Sequence, residues 1–219
     1  MCYYHDAPND LPTMTNRNFA RIAGISYWII FFAAIFANFG VVERIKADPV
    51  GAITGQHMMV RAGIVAFLVT VVFDVVVAWA LYMLFKDHPL TLPSMLFRMM
   101  HAAIMAVAIF ALPLALEQST AEAILHQVHV FNTVWLIGLF FFGIHLVLLG
   151  RILGRPRLIA IFLAIAGVMY AVDTCAHFLL PNYADHASIF LALVAVPSIF
   201  GEMALAVWLL VKGGREATA

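Results

Sequence analysis

The sequence predicts an all-α polytopic membrane bundle of six transmembrane helices, with the N and C termini cytoplasmic. Three observations predict it. The 219 residues are 64% hydrophobic and only 11% charged, far above the roughly half-apolar usage of a soluble domain. Six apolar runs each reach the about 20 residues that a spanning helix needs. Lysine and arginine gather on one side of those runs.

The elements follow in order. Met1 to Phe19 is mixed and polar, with Pro8 and Pro12 and none of the charged-then-apolar pattern of a secretory leader, so residues 1–19 are expected to remain as a cytoplasmic tail. Cys2 has no lipidation box around it, and it lies too far in depth from Cys175 to pair. The transmembrane domain, 20–212, comprises the runs Ala20 to Val42, Val60 to Phe85, Leu92 to Leu116, Phe131 to Gly150, Leu158 to Leu180 and Ala187 to Val211. Residues 213–219 form a short cytoplasmic C-terminal tail. Hydrocarbon leaves no partner for a backbone group outside its own segment, and the runs lack the alternation of barrel strands, so they are helices.

Punctuation separates the runs. Asp87-His88-Pro89 breaks the second from the third, Pro93 takes a first-turn position, and Gly154-Arg155-Pro156 makes a tight turn. Ser119-Thr120-Ala121-Glu122 has capping-box spacing, so the fourth helix starts near Thr120 and extends beyond its apolar run. One side of the membrane receives Arg17, Arg21, Lys86, Arg151, Arg155, Arg157, Lys212 and Arg215, with Arg98 near it; the other receives Arg44, Lys46 and Arg61. The first side is cytoplasmic by the positive-inside rule.

Ionisable groups within the spans carry the functional information, because each costs on the order of 2.5 to 3.5 kcal/mol at a helix centre. Asp74, Arg98, His101, His145, Asp173, His177 and Glu202 are all retained there. At about 1.5 Å rise per residue, His101 and Glu202 lie roughly 14 to 15 Å from the cytoplasmic end and Asp74 roughly 18 Å, with Arg98 and His145 about 9 Å in. These five are expected to form one substrate or proton site, Arg98 and His101 sharing a face by their spacing. A secondary polar face comprises Tyr170, Asp173 and His177 at i, i+3 and i+7 of the fifth helix, with Arg61 at a height to join it. Pro197 removes a backbone donor shortly before Ser198 and Glu202.

Three readings compete for the inner cluster. In the first it binds or moves a small solute or proton, since two carboxylates beside one guanidinium leave one acid unpaired. In the second His101, His145, Asp74 and Glu202 ligate a metal for an intramembrane enzyme, although no local ligand motif supports it. In the third Arg98 pairs with Asp74 or Glu202 only to hold an assembly subunit together. No cofactor can be named: a haem between His101 and His145 would bridge levels about 5 Å apart. Nucleophile elbows and phosphate-binding loops are absent, and zero net charge with no basic run excludes a nucleic-acid partner. The lipid bilayer is the partner that composition dictates, a small solute or proton is the second, and nothing bars assembly of several copies.

Ala20-Arg21-Ile22-Ala23-Gly24, Arg61 followed by Asp74, Phe141-Phe142-Gly143-Ile144-His145-Leu146 with Leu149-Gly150, Gly167 through Tyr170 to Asp173, and Gly201-Glu202 with Trp208-Leu209-Leu210 together form a pattern. It resembles a bacterial multi-pass membrane family catalogued as domain of unknown function 4386. The resemblance covers nearly all of the chain after the tail. It implies a six-helix fold in the bacterial inner membrane, and it brings no catalytic residue, ligand or partner.

Overall fold

The computed structural model describes residues 14–214. Cys2, Arg215 and the remoter parts of both expected tails lie outside them. Among the described residues six helices are long and apolar enough to cross a membrane: Asn16–Ala47, His57–Leu84, Thr91–Leu116, Ala121–Leu153, Arg157–Leu179 and Tyr183–Val211. The described residues contain no strand. The chain is a multi-pass, all-α membrane protein.

Side chains at the helix ends explain several boundaries. Thr120 caps the fourth helix by accepting from the Ala123 amide at 3.3 Å, so the helix begins where expected, with the cap one residue beyond the Ser119 that the Ser119–Glu122 spacing marks. That helix stops at Gly154, whose φ of 55° favours a residue without Cβ. Asp48 accepts from the Gly51 amide at 3.0 Å and starts a short connecting helix, Pro49–Gly55, with Pro49 in its first turn.

The first helix differs from the straight run expected to end at Val42. It continues to Ala47 through a π-helical segment, Phe36–Val42. Within this wider turn Asn38 Nδ2 donates to the Ala34 carbonyl at 3.1 Å. The segment seats against the second helix, where a Cβ on Gly63 would collide with Val41. Such inserted turns arise where one residue too many must be absorbed without breaking the ladder.

Each long helix packs on the next in sequence, and the first also packs on the sixth, so the six close into a ring. Arg17 fastens this closure at the end carrying both chain termini. Its guanidinium donates to the carbonyls of Leu209 at 3.0 Å and Gly213 at 2.8 Å, and also to that of Leu210, satisfying acceptors that the end of the sixth helix leaves open. The fourth and fifth helices approach closely because Gly143 and Gly167 face each other's carbonyls, and Gly150 faces that of Ala160. Association between helices in lipid depends on such close fitting, since the surrounding tails are as apolar as the side chains.

The interior has two apolar cores. One, toward the termini, joins Ala20, Ala23, Val77, Leu146, Leu163 and Leu205 with their neighbours, from the first, second, fourth, fifth and sixth helices. The other, toward the far end, is built around Val41, Phe67, Leu112 and Phe131, and its buried long-helix members come from the first four helices only. Phe67, Phe131 and Trp135 pack mutually there at 5.0 to 5.3 Å between ring centroids. The outward surface carries exposed apolar side chains such as Phe32, Leu68, Val107, Ile161 and Phe200, the face that a bilayer covers.

Candidate functional site

Arg98 is almost completely buried, at 1% exposure, so each of its donors needs a partner. Nη2 donates to Asp74 Oδ1 at 2.5 Å, and Nη1 donates to the Tyr27 hydroxyl at 3.0 Å. His145 Nε2 lies 3.2 Å from the same Nη1. With the His145 Nδ1–H donated to the Ser94 carbonyl at 3.0 Å, Nε2 has a lone pair free to accept from Arg98. The guanidinium carbon also lies over two rings, 4.9 Å from the Tyr27 centroid and 5.2 Å from that of Phe142, both within cation–π range.

Asp74 joins this arginine to a histidine. Its second oxygen is 3.7 Å from His101 Nε2, too long for a hydrogen bond but close enough for charge to be felt. His101 also lies against Phe142, at 4.8 Å between centroids. Two buried nitrogens, Arg98 Nε and His101 Nδ1, have no hydrogen-bond partner among the described residues.

Glu202 is held differently. Ser198 Oγ donates to its Oε1 at 2.5 Å, one turn away on the same helix, and the Tyr170 hydroxyl lies 3.1 Å from that Oγ. Ser198 has one hydroxyl proton; with it on Glu202, Tyr170 donates to Ser198. No cation pairs with Glu202 among the described residues.

These groups line a cavity of about 470 Å³ inside the ring, and all six long helices reach it. Asp74, Arg98, His101 and Glu202 are on its wall; His145 stands behind Arg98 rather than in the cavity. Tyr170 and Asp173 line the same space, so the two polar levels read from the sequence meet in one cavity. Farther out, the Tyr183 hydroxyl donates to Asp173 Oδ1 at 2.7 Å, and His177 packs edge-on against Tyr183. Arg61 stands apart, exposed, donating to His57 Nδ1 at 3.0 Å.

Both His145 nitrogens are engaged by Ser94 and Arg98. Among the described residues no three His, Cys, Asp or Glu side chains are grouped so that they could hold a metal ion.

Ionisable groups within the spans do not by themselves point to Tyr27, Phe142 or Ser94, yet all three belong to the site. A signal for Tyr27 exists: Ala20, Ala23, Gly24 and Tyr27 follow i, i+3, i+4, i+7 spacing, a buried stripe of small residues ending in a phenol. Phe142 and Ser94 carry no such mark, being one of eighteen phenylalanines and an ordinary small hydroxyl.

A ring of membrane helices around a partly charged cavity is the class of protein that this geometry defines. The chain belongs to the family described as Domain of unknown function (DUF4386), whose model matches residues 22–213. It is also similar to a protein of Archaeoglobus fulgidus described as "Uncharacterized protein", 28% identical over 158 residues, which cover 69% of this chain and 84% of that one. No solved structure matches the chain.

Proposed function

We propose that this protein binds or moves a small solute or a proton through the cavity at Asp74, Arg98, His101 and Glu202, with His145 positioning Arg98 from behind and Tyr170 and Asp173 continuing the path. One observation carries the reading. The cavity has a single guanidinium, committed to Asp74, while Glu202 lines the same wall with no cationic partner among the described residues. An acid kept in an apolar bundle without a salt-bridge partner is retained against a cost of a few kcal/mol, and proton or ligand exchange is a reason to retain it. Cation placement supports cytoplasmic termini in a bacterial inner membrane: Arg17, Lys86, Arg151, Arg155, Arg157 and Lys212 flank one set of helix ends, against Arg44, Lys46 and Arg61 at the other.

The test is reconstitution into liposomes containing a pH-sensitive dye, with a potassium diffusion potential imposed. It is run beside a thermal-shift screen of the nanodisc-embedded protein against small cations, anions and zwitterions. Proton flux or a ligand shift in the wild type, lost in Glu202→Gln, is expected. The absence of both in folded wild-type protein would overturn the proposal. Orientation is read separately: a cysteine at Lys86 should label only from the cytoplasm and one at Arg61 only from outside.

A further inference from the structure

We infer that the ligand of this cavity is an organic cation with an apolar body, its ammonium seated at Glu202 and its body reaching the cavity from the membrane between the first and sixth helices. The inference rests on the solute-binding reading and names the class of solute.

The sign of the charge comes first. The cavity wall carries the carboxylates of Asp74, Asp173 and Glu202 and one guanidinium, while Glu43, which also lines it, is paired with Lys46 at 2.8 Å. Arg98 already holds Asp74, Tyr27 and His145, and its unpartnered Nε, like His101 Nδ1, has almost no accessible surface, so an anion reaching the guanidinium would compete with the buried Asp74 carboxylate. A cation displaces nothing. It meets Glu202, whose Oε1 is bonded only by Ser198, and farther out Asp173, bonded by Tyr183.

The character of the rest of the ligand follows from the walls. Tyr27, Phe31, Phe39, Trp135, Phe142 and Tyr170 all line the cavity, and aromatic faces attract a cation without the hydration that a carboxylate must give up. Tyr27 and Phe142 are already turned to the Arg98 guanidinium. Of the other four, Trp135 packs on Phe67 and Phe131, Phe31 on Trp28 and Phe32, and Tyr170 on Phe142, each with cavity-lining surface still to offer a ligand beside Phe39.

The way in is set by packing. Helices five and six contribute no buried member to the far-end core, and the first helix from Phe36 onward packs on the second, not on the sixth. On this side Phe39 and Leu191 line the cavity and are 69% and 64% exposed. Ile35 and Ile199 border the same opening. Ile35, Phe39, Leu191 and Ile199 make this side of the opening apolar, so it admits an amphipathic molecule more readily than a fully hydrated ion.

The experiment uses the full chain in nanodiscs of uncharged lipid, with empty discs subtracted. Equilibrium dialysis compares radiolabelled benzyltrimethylammonium with benzenesulfonate, two small aromatic ions of opposite and permanent charge. Saturable binding of the cation, near one per chain, and none of the anion is expected. Glu202→Gln should weaken the cation by about tenfold or more, the loss of one ion-pair contact, and Glu202→Asp should restore part of it. Asp173→Asn should weaken it less. Replacing Leu191 by Trp, which narrows the mouth without touching a polar group, should slow cation entry at unchanged fold. Saturable binding of benzenesulfonate instead, or cation binding indifferent to Glu202→Gln, overturns the inference while leaving solute binding standing. Binding of neither ion also overturns it, and the flux and ligand-screen measurements then decide the broader reading on their own.

Discussion

Nη2 of Arg98 lies 2.5 Å from Oδ1 of Asp74, and both side chains are buried between two apolar cores. The pair joins the third helix to the second. Breaking it from one side strands a charge: Arg98→Met or Asp74→Leu alone should destabilise the protein by about 3–5 kcal/mol. The double variant should cost less than either single change, because both charges leave together. Unfolding of the purified variants in detergent, analysed as a double-mutant cycle, reads the coupling; simple additivity would show that the two groups do not depend on each other.

Tyr27 contributes to Arg98 in two ways that can be separated. Tyr27→Phe removes a hydrogen bond to a charged group and keeps the ring, an expected loss of about 1.5–3 kcal/mol. Tyr27→Leu removes the cation–π contact as well and should cost a further 0.5 to 2 kcal/mol, approximately. Equal melting temperatures for the two variants would mean that the ring face contributes nothing.

Most of the architecture is legible in the sequence, because hydrocarbon permits so few backbone solutions. Span count, the start of the fourth helix at Thr120 and the turn at Gly154 all follow from length, capping chemistry and the need for positive φ. The partner of Arg98 is narrowed only to two acids. Rise per residue puts Asp74 about 9 Å deeper than Arg98, a gap that the long arginine side chain closes, but the same arithmetic cannot say which helices are neighbours around the ring. The π segment is hidden for a different reason: Phe36 to Val42 is as apolar as an ordinary turn, and the extra residue shows only in the backbone. Arg61 falls at the right height and the wrong azimuth, since depth is set by sequence and direction by packing.

Close approach of the fourth and fifth helices depends on missing side chains. A Cβ on Gly143 would stand 2.5 Å from the Gly167 carbonyl oxygen, so Gly143→Ala must push the helices apart and should cost about 1–3 kcal/mol. Gly55→Ala is the control, because nothing lies within 4 Å of the added carbon. Thermal unfolding of both variants checks this; a Gly143→Ala protein as stable as the control would show that the two helices are not tightly packed there.

The hold of Arg17 on the last turn of the sixth helix predicts a local effect. In Arg17→Met the carbonyls of Leu209, Leu210 and Gly213 lose their donor, the helix end frays, and amide hydrogen exchange over residues 205–213 should accelerate. Arg21→Met, at an exposed position on the same helix, should leave it unchanged. Exchange followed by mass spectrometry in nanodiscs distinguishes them, and identical protection in both variants would remove the clasp from the account of ring closure.

Asp74 and Glu202 line one cavity yet predict opposite consequences when each is made an amide. Asp74→Asn takes the counter-ion from a buried guanidinium, so the melting temperature should fall by the equivalent of about 3 kcal/mol or more. Glu202→Gln breaks no ion pair, and its amide oxygen can still accept from Ser198 at the position where Oε1 now lies 2.5 Å away; its stability should stay within about 1 kcal/mol of wild type. Flux or ligand binding should nevertheless be lost in Glu202→Gln. A stability loss at Glu202 as large as at Asp74, with no change in flux or binding, would make Glu202 a structural group and favour the reading in which the chain is an assembly subunit. The split between the two amides therefore separates a functional acid from a structural one whatever the solute turns out to be.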